Sequence, residues 1–395
     1  MTIKNWETVN LDTVCNLIGG GTPSKSKQEF YTGEIPWATV RDMNVDFIEN
    51  TQLSITEKAI TESSTNIIPK GNVIIATRVG LGKVCILNQD TAINQDLKGV
   101  IPKNNLVLPD FLFWWFKSVS DEIVDAGTGL TVQGVKLPFI KKLQIPSLTL
   151  TEQKQLVALL DQAFAAIDQA IANLEKNIQN AQELFQSKLN DVFSQRGEGW
   201  VERSLGEVCI VERGSSPRPI KEFITDSKDG VNWVKIGDVG ESDKYVTSTR
   251  QKITKKGAEK SRFVDVGDFI LSNSMSFGRA YIMKIQGYIH DGWFVLRIPN
   301  SINPDYFWQL LSSPYLKNQF NELAAGAIVK NISGDLVKKA IVPIPPLDTQ
   351  INIFKETELL SNKTEKIISS YSHKIKNLEE LKKSILQKAF NGELT

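Results

Sequence analysis

Most of the side chains in this sequence that could do chemistry are hydrogen-bond donors in loops between strand-like segments. Arg, Lys, Asn, Ser and Thr side chains can hydrogen-bond to DNA phosphates and to the edges of bases. We predict DNA contacts for ten such residues at or near equivalent positions of an internal repeat, and which of them contact bases stays open. The set is Thr22, Lys25, Arg41, Arg78 and Lys83 in the first half of the chain, and Ser216, Arg218, Lys235, Asn273 and Arg279 in the second.

The sequence predicts no catalytic residue, no metal site and no cofactor site. Two His and three Cys make a protein-built zinc site or a His-dependent catalytic centre improbable. The segment Asn303-Pro304-Asp305-Tyr306-Phe307 resembles the N-P-P-[YF] motif of adenine methyltransferases, but the second Pro is absent. Its repeat partner is Leu108-Pro109-Asp110-Phe111. A shared Pro-Asp is typical of a helix start, so we interpret both segments as helix N-termini.

A glycine-rich segment, Gly19-Gly20-Gly21-Thr22-Pro23-Ser24-Lys25, suggests phosphate binding. It lacks the G-x-x-x-x-G-K-[ST] spacing of an ATP-binding loop. Its repeat partner, Arg213-Gly214-Ser215-Ser216-Pro217-Arg218, keeps one Gly, small polar residues, Pro and a basic residue. Two interpretations stay open: a flexible loop that offers backbone N–H groups, hydroxyls and a cation to DNA phosphate, or an ordinary surface loop.

The net charge of +1, from 46 Lys+Arg and 45 Asp+Glu, neither indicates nor excludes a nucleic-acid partner. The balance hides differences along the chain. Residues 200–345 contain 20 basic and 16 acidic residues, whereas residues 146–199 contain 4 and 7. Overall neutrality therefore does not test DNA binding.

The sequence favours a cytoplasmic protein in a reducing compartment. The first residues, MTIKNWETVNL, lack the apolar segment of a secretory signal. The longest conspicuous apolar run, residues 111–116, is far shorter than the ~20 residues of a membrane helix. Cys15, Cys85 and Cys209 are odd in number, which argues against a disulfide framework. Cys15 and Cys209 are expected in the core because both have apolar neighbours.

Self-comparison shows that the sequence contains one unit twice, at about residues 1–199 and 200–395. The shift between partners varies from 194 to 199 residues, as loop insertions in a duplicated fold would produce. Matched pairs include Trp6 and Trp200, Cys15 and Cys209, Gly20 and Gly214, Trp37 and Trp233, Asp42 and Asp238, and Gly82 and Gly278.

Each unit has a strand-rich part followed by a long helical part. Short apolar runs between turns, such as Val73-Ile74-Ile75-Ala76, predict a mixed α+β domain. Apolar residues then recur at steps of three and four from Leu156 to Phe185, and again over residues 353–385. Thr151-x-x-Lys154 matches half of a capping box at the start of the first helix. About 40 residues at ~1.5 Å each would give a helix of roughly 60 Å.

A long helix with one narrow apolar stripe needs a partner. We predict that the two long helices pair as an antiparallel coiled coil, the alternative being that each folds back onto its own domain. The predicted fold class is α+β, with two tandem mixed α/β domains related by an internal pseudo-two-fold repeat. The predicted organisation is a mixed α/β domain at 1–147, a long helix at 148–199, a second mixed α/β domain at 200–346 and a second long helix at 347–395.

The two copies share framework residues and differ in the polar residues beside them. Arg41 has Gly237 as its counterpart, and Thr39 has Lys235. Two equivalent scaffolds with different polar side chains would recognise two different half-sites. Neutral drift of surface loops would produce the same pattern.

Over its whole length the chain resembles the specificity subunits of type I restriction–modification systems. The segments that carry the resemblance are Trp6-x-x-Val9-x-Leu11-x-x-Val14, Gly20-Gly21-Thr22-Pro23-Ser24, Ile35-Pro36-Trp37-x-x-Val40-Arg41-Asp42-Met43, Ile145-Pro146-x-Leu148-x-x-x-x-Gln153, its copy Ile344-Pro345-Pro346-Leu347-x-x-Gln350, and residues 381–394, LKKSILQKAFNGEL.

The resemblance implies two target-recognition domains, each recognising half of an asymmetric, interrupted DNA sequence, with paired helices as the spacer. It implies a chain without activity of its own. Its partners would be double-stranded DNA, two modification subunits that bind S-adenosylmethionine and methylate adenine, and two motor–nuclease subunits that use ATP and Mg²⁺. Two alternatives stay open: a related system whose single partner both cuts and methylates, and a coiled-coil scaffold that binds proteins.

Overall fold

The computed structural model describes residues 6–129, 134–240, 243–273, 278–323 and 332–394. The chain divides into two compact units. The first comprises Met1–Leu174 and Ser372–Thr395, and the second comprises Glu175–Tyr371. Each unit therefore contains one strand-rich domain together with parts of both long helices.

The helices and strands of residues 1–199 are as follows. The helices are α1 (Leu11–Val14), α2 (Glu57–Thr61), α3 (Pro109–Ser118), α4 (Ser120–Asp125), α5 (Leu137–Lys142) and α6 (Leu150–Ser194). The strands are β1 (Thr8–Asn10), β2 (Cys15–Gly19), β3 (Ile35–Ala38), β4 (Phe47–Ile48), β5 (Ser54–Ile55), β6 (Asn66–Ile68), β7 (Val73–Ala76), β8 (Val84–Leu87), β9 (Thr91–Ile93), β10 (Leu97–Pro102) and β11 (Gln144–Pro146).

Residues 200–394 form a corresponding series. The helices are α7 (Leu205–Val208), α8 (Lys255–Ala258), α9 (Pro304–Ser312), α10 (Pro314–Leu323), α11 (Gly334–Lys339) and α12 (Leu347–Phe390). The strands are β12 (Val201–Ser204), β13 (Ile210–Arg213), β14 (Ile224–Thr225), β15 (Val231–Val234), β16 (Tyr245–Val246), β17 (Gln251–Ile253), β18 (Arg262–Val264), β19 (Phe269–Ser272), β20 (Ala280–Met283), β21 (Gly287–Ile289), β22 (Trp293–Arg297) and β23 (Ile341–Ile344).

The sheets confirm the duplication strand by strand. The larger sheet of the first unit has the order β2-β10-β7-β8-β4, and that of the second unit has the equivalent order β13-β22-β19-β20-β16. The smaller sheets are β5-β3-β9-β6 and β14-β17-β15-β21-β18, so the second has one additional edge strand. A two-stranded sheet, β1-β11 or β12-β23, joins the ends of each domain. The predicted α+β fold class is correct.

Burial explains the strongest sequence signals. All four residues of β7 and of β8 are buried, as expected for central strands covered on both faces. Helix α3 begins at Pro109 and buries six consecutive residues, 111–116. A helix that is apolar on every side belongs inside a core, and these residues pack in one cluster with the larger sheet of the first unit.

The two Pro-Asp segments are helix starts, as predicted. Asn303 is the N-cap of α9, and its Oδ1 accepts hydrogen bonds from the backbone N–H groups of Asp305 at 3.0 Å and Tyr306 at 2.9 Å. Pro304 and Pro109 occupy early helical positions, where a missing N–H leaves no hydrogen bond unmade.

The long helices α6 and α12 contain 45 and 44 residues. The predicted cap of α6 at Thr151 is wrong by two residues. Thr149 caps the helix: its Oγ1 accepts the Glu152 N–H at 3.3 Å, and its own N–H donates to Glu152 Oε2 at 3.0 Å. This reciprocal capping box accounts for a start at Leu150.

The contacts within each unit show that the long helices run antiparallel. In the first unit the start of α6 lies beside the end of α12, where Lys382 of α12 contacts Asp168 and lies 5.3 Å from the ring centroid of Phe164. In the second unit the end of α6 and the start of α12 contribute Phe185 and Ile353 to one cluster. The predicted antiparallel pair is confirmed.

The same aromatic contact closes each unit. In the first, Phe390 near the end of α12 packs on Phe111 of α3 with ring centroids 5.4 Å apart. In the second, Phe193 near the end of α6 packs on Tyr306 of α9 at 5.6 Å. The two pairs occupy equivalent repeat positions, so each domain receives the end of a long helix in the same way.

The remaining expectations concern cysteines and membranes. Cys15 and Cys209 are free and buried, as expected for core residues, and Cys85 is free and buried as well. Burial raises the pKa of each thiol to about 12, so all three stay protonated at neutral pH. Among the described residues, no helix combines the length and hydropathy needed to cross a membrane. No cluster of three metal-ligating side chains occurs among them either.

Candidate nucleic-acid interface

The smaller sheet of each unit brings two loops together at one edge. Strand β3 runs parallel to β9, with Trp37 opposite Ala92 and Ala38 opposite Ile93. Strand β15 runs parallel to β21, with Trp233 opposite Tyr288. Parallel strands end at the same edge of a sheet. The residues after β3 and β9, and after β15 and β21, therefore lie side by side.

In the first unit this edge forms one wall of a cleft of about 750 Å³, here called the first cleft. Three of the five predicted residues, Thr22, Lys25 and Arg41, line it. The other lining residues are Tyr31, Trp37, Thr39, Val40, Gln52, Leu53, Val79, Asn94, Gln95 and Asp96.

The second unit has a cleft of about 780 Å³ at the equivalent place, here called the second cleft. Three of its five predicted residues, Ser216, Arg218 and Lys235, line it. The other lining residues are Pro217, Pro219, Ile220, Lys221, Trp233, His290 and Asp291. Thr22 and Ser216, Trp37 and Trp233, and Asn94 and His290 are repeat partners, so the scaffold is shared while the polar lining differs.

The glycine of the loop is needed for a close backbone approach. A Cβ at Gly20 would lie 2.0 Å from the Asn94 carbonyl oxygen, and a Cβ at Gly214 would lie 2.0 Å from that of His290. The Gly20 and Gly21 N–H groups donate to the backbone oxygens of Leu97 and Ile93. These two N–H groups are used within the fold, so a phosphate contact by this loop would have to use its other N–H groups, its hydroxyls or Lys25, and such a contact stays a prediction.

An aspartate holds the turn that carries the variable residue in each cleft. Asp42 Oδ2 accepts the Thr39 N–H at 2.7 Å, and Oδ1 accepts the Gln52 N–H at 2.8 Å. Asp238 makes the same pair of contacts, with the Lys235 N–H at 2.8 Å and the Arg250 N–H at 3.2 Å. These matched aspartates are structural, and they present Arg41 in one cleft and Lys235 in the other.

Three of the predicted residues in the second unit converge on Asp291. Ser216 Oγ donates to Oδ1 at 2.7 Å, Arg218 Nη2 donates to Oδ2 at 3.1 Å, and Asn273 Nδ2 donates to the Asp291 carbonyl oxygen at 2.7 Å. The Ser216 hydrogen bond is the main cause that lowers the pKa of the Asp291 carboxyl, with smaller contributions from His290 and Arg218. This carboxylate is ionised at neutral pH.

The first unit pairs a cation with a carboxylate in a related way. Arg78 Nη1 lies 3.6 Å from Asp96 Oδ1. The Asp96 carbonyl oxygen accepts the N–H groups of Thr77 at 2.8 Å and Arg78 at 3.3 Å. Arg78 is thus tied to the first cleft through a residue that lines it.

Besides Arg78, three predicted residues do not line the clefts. Lys83 donates to Asn44 Oδ1 at 2.6 Å and lies behind the turn that bears Arg41. Asn273 is 3% exposed, and its side-chain amide is used to hold Asp291. Arg279 lines a separate cavity of about 380 Å³ with Trp308 and Lys317. DNA contact by any of the ten residues stays a prediction.

Sequence reasoning missed Asp96, Gln95 and Asp291 as cleft residues. DNA contacts are predicted from hydrogen-bond donors, and a carboxylate is an acceptor that phosphate repels. Gln95 and Asp291 are repeat partners of different charge directly after a strand. The replacement of neutral Gln95 by acidic Asp291 at a matched loop position is the sequence signal that could have identified this pair.

The two halves differ in charge in the segments that supply most lining residues of each cleft. Residues 22–68 contain 4 basic and 7 acidic residues, whereas residues 216–264 contain 11 basic and 7 acidic residues. A local basic excess attracts a polyanion whatever the total charge of the chain is. The segment that supplies most of the second cleft's lining is therefore the more favourable for phosphate.

The fold and the clefts define a class: a duplicated α+β protein whose long helices are shared between two units and whose units each contain an equivalent cleft with a different lining. The model of the type I restriction modification DNA specificity domain matches residues 3–180 and 197–383. The chain belongs to this family.

Similar proteins agree in class. The chain is 28% identical over 244 residues to the type I restriction enzyme MjaIX specificity subunit of Methanocaldococcus jannaschii, a match that covers 57% of this chain and 56% of that subunit. The chain thus spans about half the length of this relative. It is 23% identical to the EcoKI specificity subunit of Escherichia coli strain K12, covering 99% of this chain and 90% of that subunit.

A solved structure shares the fold. A chain from a structure described as showing complex assembly and conformational transition of the type I R-M system matches with a TM-score of 0.77, 19% identity and full coverage of both chains. The HsdS subunit from Thermoanaerobacter tengcongensis matches with a TM-score of 0.60 and 19% identity, covering 99% of this chain and 97% of that chain.

Proposed function

We propose that this chain is the DNA-recognition subunit of a type I restriction–modification complex and recognises a bipartite, asymmetric target with one cleft per half-site. The observation that carries the proposal is the pair of clefts at equivalent repeat positions. Their walls are held by matched glycine and aspartate contacts and lined by a matched tryptophan, while the polar lining residues differ. Family membership supports the same function.

The chemistry would belong to partner subunits. We propose two modification subunits that bind S-adenosylmethionine and methylate adenine, and two motor–nuclease subunits that use ATP and Mg²⁺. The chain itself would be non-catalytic and would work in the cytoplasm. The free cysteines are buried with raised pKa values, and the carboxylates of the clefts are engaged in hydrogen bonds, so neither group is set up as a nucleophile.

The test is methylation mapping in cells that express this chain with its modification subunits. We expect one interrupted, asymmetric motif that disappears when this chain is omitted. Arg41→Ala should relax the motif in one half, and Lys235→Ala should relax it in the other, because the two residues line different clefts.

Three outcomes would contradict the proposal. Methylation that does not depend on this chain would remove its recognition role. Relaxation of both halves by Arg41→Ala alone would contradict one cleft per half-site. Methylation by the isolated chain with S-adenosylmethionine would show that the chain is itself an enzyme.

A further inference from the structure

Asp291 is an unexpected side chain in a cleft for DNA. Its carboxyl side chain is 46% exposed, and its repeat partner in the first cleft is the neutral Gln95. An ionised carboxylate repels phosphates and can only accept hydrogen bonds. The donors that DNA presents in the major groove are the exocyclic amino groups of cytosine and adenine. A carboxylate in this position is therefore suited to a base edge and unsuited to the backbone.

The carboxylate is held in place and still has capacity to accept. Ser216 donates to Oδ1 and Arg218 to Oδ2, while Asn273 holds the backbone of the same residue. The two oxygens of a carboxylate can accept about four hydrogen bonds. Each oxygen thus keeps a place for one more donor, in a position fixed before DNA arrives.

Arg218 supplies the complementary half of a recognition pair. Its side chain is 79% exposed, and one guanidinium nitrogen contacts Asp291. A guanidinium has five N–H donors in a planar fork, so most of them point away from Asp291. Arginine binds the O6 and N7 acceptors of guanine in a bidentate manner more often than any other base edge.

A C·G base pair presents both features side by side in the major groove. Cytosine offers the N4 amino donor, and guanine offers two acceptors next to it. In an A·T pair the adenine N7 acceptor lies beside the N6 donor, so N7 would face the Asp291 carboxylate unfavourably. Thymine offers a single acceptor to Arg218, whereas guanine offers two. The Asp291 carboxylate, which accepts, and the adjacent Arg218 guanidinium, which donates, therefore favour a C·G base pair over an A·T pair.

We propose that Arg218 and Asp291 together recognise one C·G base pair in the half-site bound by the second cleft. Asp291 accepts a hydrogen bond from cytosine N4, and Arg218 donates to guanine O6 and N7. Ser216 and Asn273 are positioning residues that act through Asp291. The inference rests on the proposed function, since it specifies what one of the two clefts recognises.

The experiment uses the complex reconstituted from this full chain and its modification subunits. The probes are duplexes with the target mapped for the wild type, in which each base pair of the second half-site is replaced in turn by the other three. We expect one C·G position at which replacement weakens binding by the wild type roughly tenfold or more. Asp291→Asn and Arg218→Lys should each reduce that discrimination to below about threefold, at the same position.

The matched control is Asp96→Asn in the first cleft, which should leave discrimination at the C·G position intact. Because Arg218 is exposed, Arg218→Lys tests the pair even if Asp291→Asn alters the cleft. The inference is overturned if both variants keep the wild-type preferences, if they relax different base pairs, or if the shared position is A·T. A wild-type complex that binds all duplexes equally would instead reject the proposed function.

Discussion

Val79 is a strained residue at the edge of the first cleft. It lies between Arg78 and Gly80 with a φ of 35° and a side chain that is 51% exposed. A left-handed conformation costs an L-residue about 1–2 kcal/mol, and β-branched residues adopt it rarely. We expect Val79→Gly to raise the free energy of unfolding by about 0.5–1 kcal/mol, after allowing for the larger backbone entropy of glycine. Urea denaturation followed by tryptophan fluorescence measures this.

The control for Val79 is Val45→Gly. Val45 is 53% exposed and is not among the described residues with positive φ. This substitution should lower stability by about 0.5–1 kcal/mol. If both glycine variants were destabilised to the same degree, strain at Val79 would be rejected.

His290 makes the stability of the second unit depend on pH. Burial lowers the pKa of His290, opposed by Asp291 and Asp238, and reinforced by Lys235. Its Nδ1 accepts the Gly292 N–H at 2.7 Å, which requires this nitrogen to be unprotonated. Below pH 6.5 the unfolded chain therefore binds more protons than the folded chain, and stability falls as pH falls. We expect thermal unfolding at a lower temperature at pH 5.5 than at pH 7.

The sequence has two histidines, which gives a direct comparison. His290→Asn keeps an acceptor near the position of Nδ1 and should reduce the change between pH 7 and pH 5.5. His373 is exposed on α12, and His373→Asn should leave that change as it is. An equal pH effect in the wild type and in His290→Asn would assign it to other groups.

At the scale of single residues, sequence reasoning found the scaffold better than the contacts. The Asp42–Asp238 match identified positions whose hydrogen bonds are equivalent. The Trp37–Trp233 match identified equivalent strand positions in the two smaller sheets. The sequence could not show that Asp96 and Asp291 lie with them. Their place depends on parallel pairing of β3 with β9 and of β15 with β21, between segments more than 50 residues apart. No local pattern specifies such a pairing.

At the scale of elements, one buried glutamine fastens the start of each long helix to its domain. Gln153 is 1% exposed; its Oε1 accepts the Leu108 N–H at 2.8 Å, and its Nε2 donates to the oxygens of Leu106 and Leu148. Gln350, also 1% exposed, accepts the Asn303 N–H at 2.7 Å and donates to the Pro345 oxygen at 2.8 Å. Each glutamine thus joins the loop before α3 or α9 to a long helix.

We expect Gln153→Ala to destabilise the first unit by about 2–4 kcal/mol, because it leaves several buried backbone groups without partners. Gln350→Ala should do the same in the second unit. Gln162→Ala, at an exposed position of α6, should change stability by less than about 0.5 kcal/mol. Chemical denaturation of the three variants measures the difference in free energy of unfolding. Similar small effects for all three would show that the hydrogen bonds of the two buried glutamines are not needed for stability.

The elements themselves were predicted more fully than their ends. The steps of three and four predicted both long helices, and their antiparallel pairing is confirmed. The sequence favours a cap at Thr151 because Glu152 fits an acidic residue of the first turn, whereas the Glu152 carboxylate accepts a hydrogen bond from the Thr149 N–H. Helix ends depend on which hydroxyl reaches which N–H, and neighbouring threonines at 149 and 151 make both sites possible from sequence.

At the scale of the whole molecule, the repeat and the compact units are offset from each other. The first repeat ends near residue 199, yet the first compact unit takes residues 372–395 from the far end of the chain. Phe390 there packs on Phe111, and its repeat partner Phe193 packs on Tyr306 of the second unit. A domain is thus closed by the helix end of the other repeat. The helix ends that pack on the two domains carry the matched residues Phe193 and Phe390.

This exchange predicts that the isolated segment 1–199 forms a homodimer. Without residues 372–395 its domain lacks the helix end that supplies Leu386 and Phe390. Its own Leu189 and Phe193 are the matching residues, but about 29 residues of helix separate Phe193 from Phe164, or ~44 Å, too far to fold back. A second copy of the segment can supply the missing helix end.

Light scattering should give a mass near that of the full chain. Phe193→Ala should shift the mass towards that of the monomer. Leu184→Ala is the control, because Leu184 is 59% exposed on the same helix, and it should leave the mass unchanged. A stable monomeric segment would show that closure does not require the exchanged helix end.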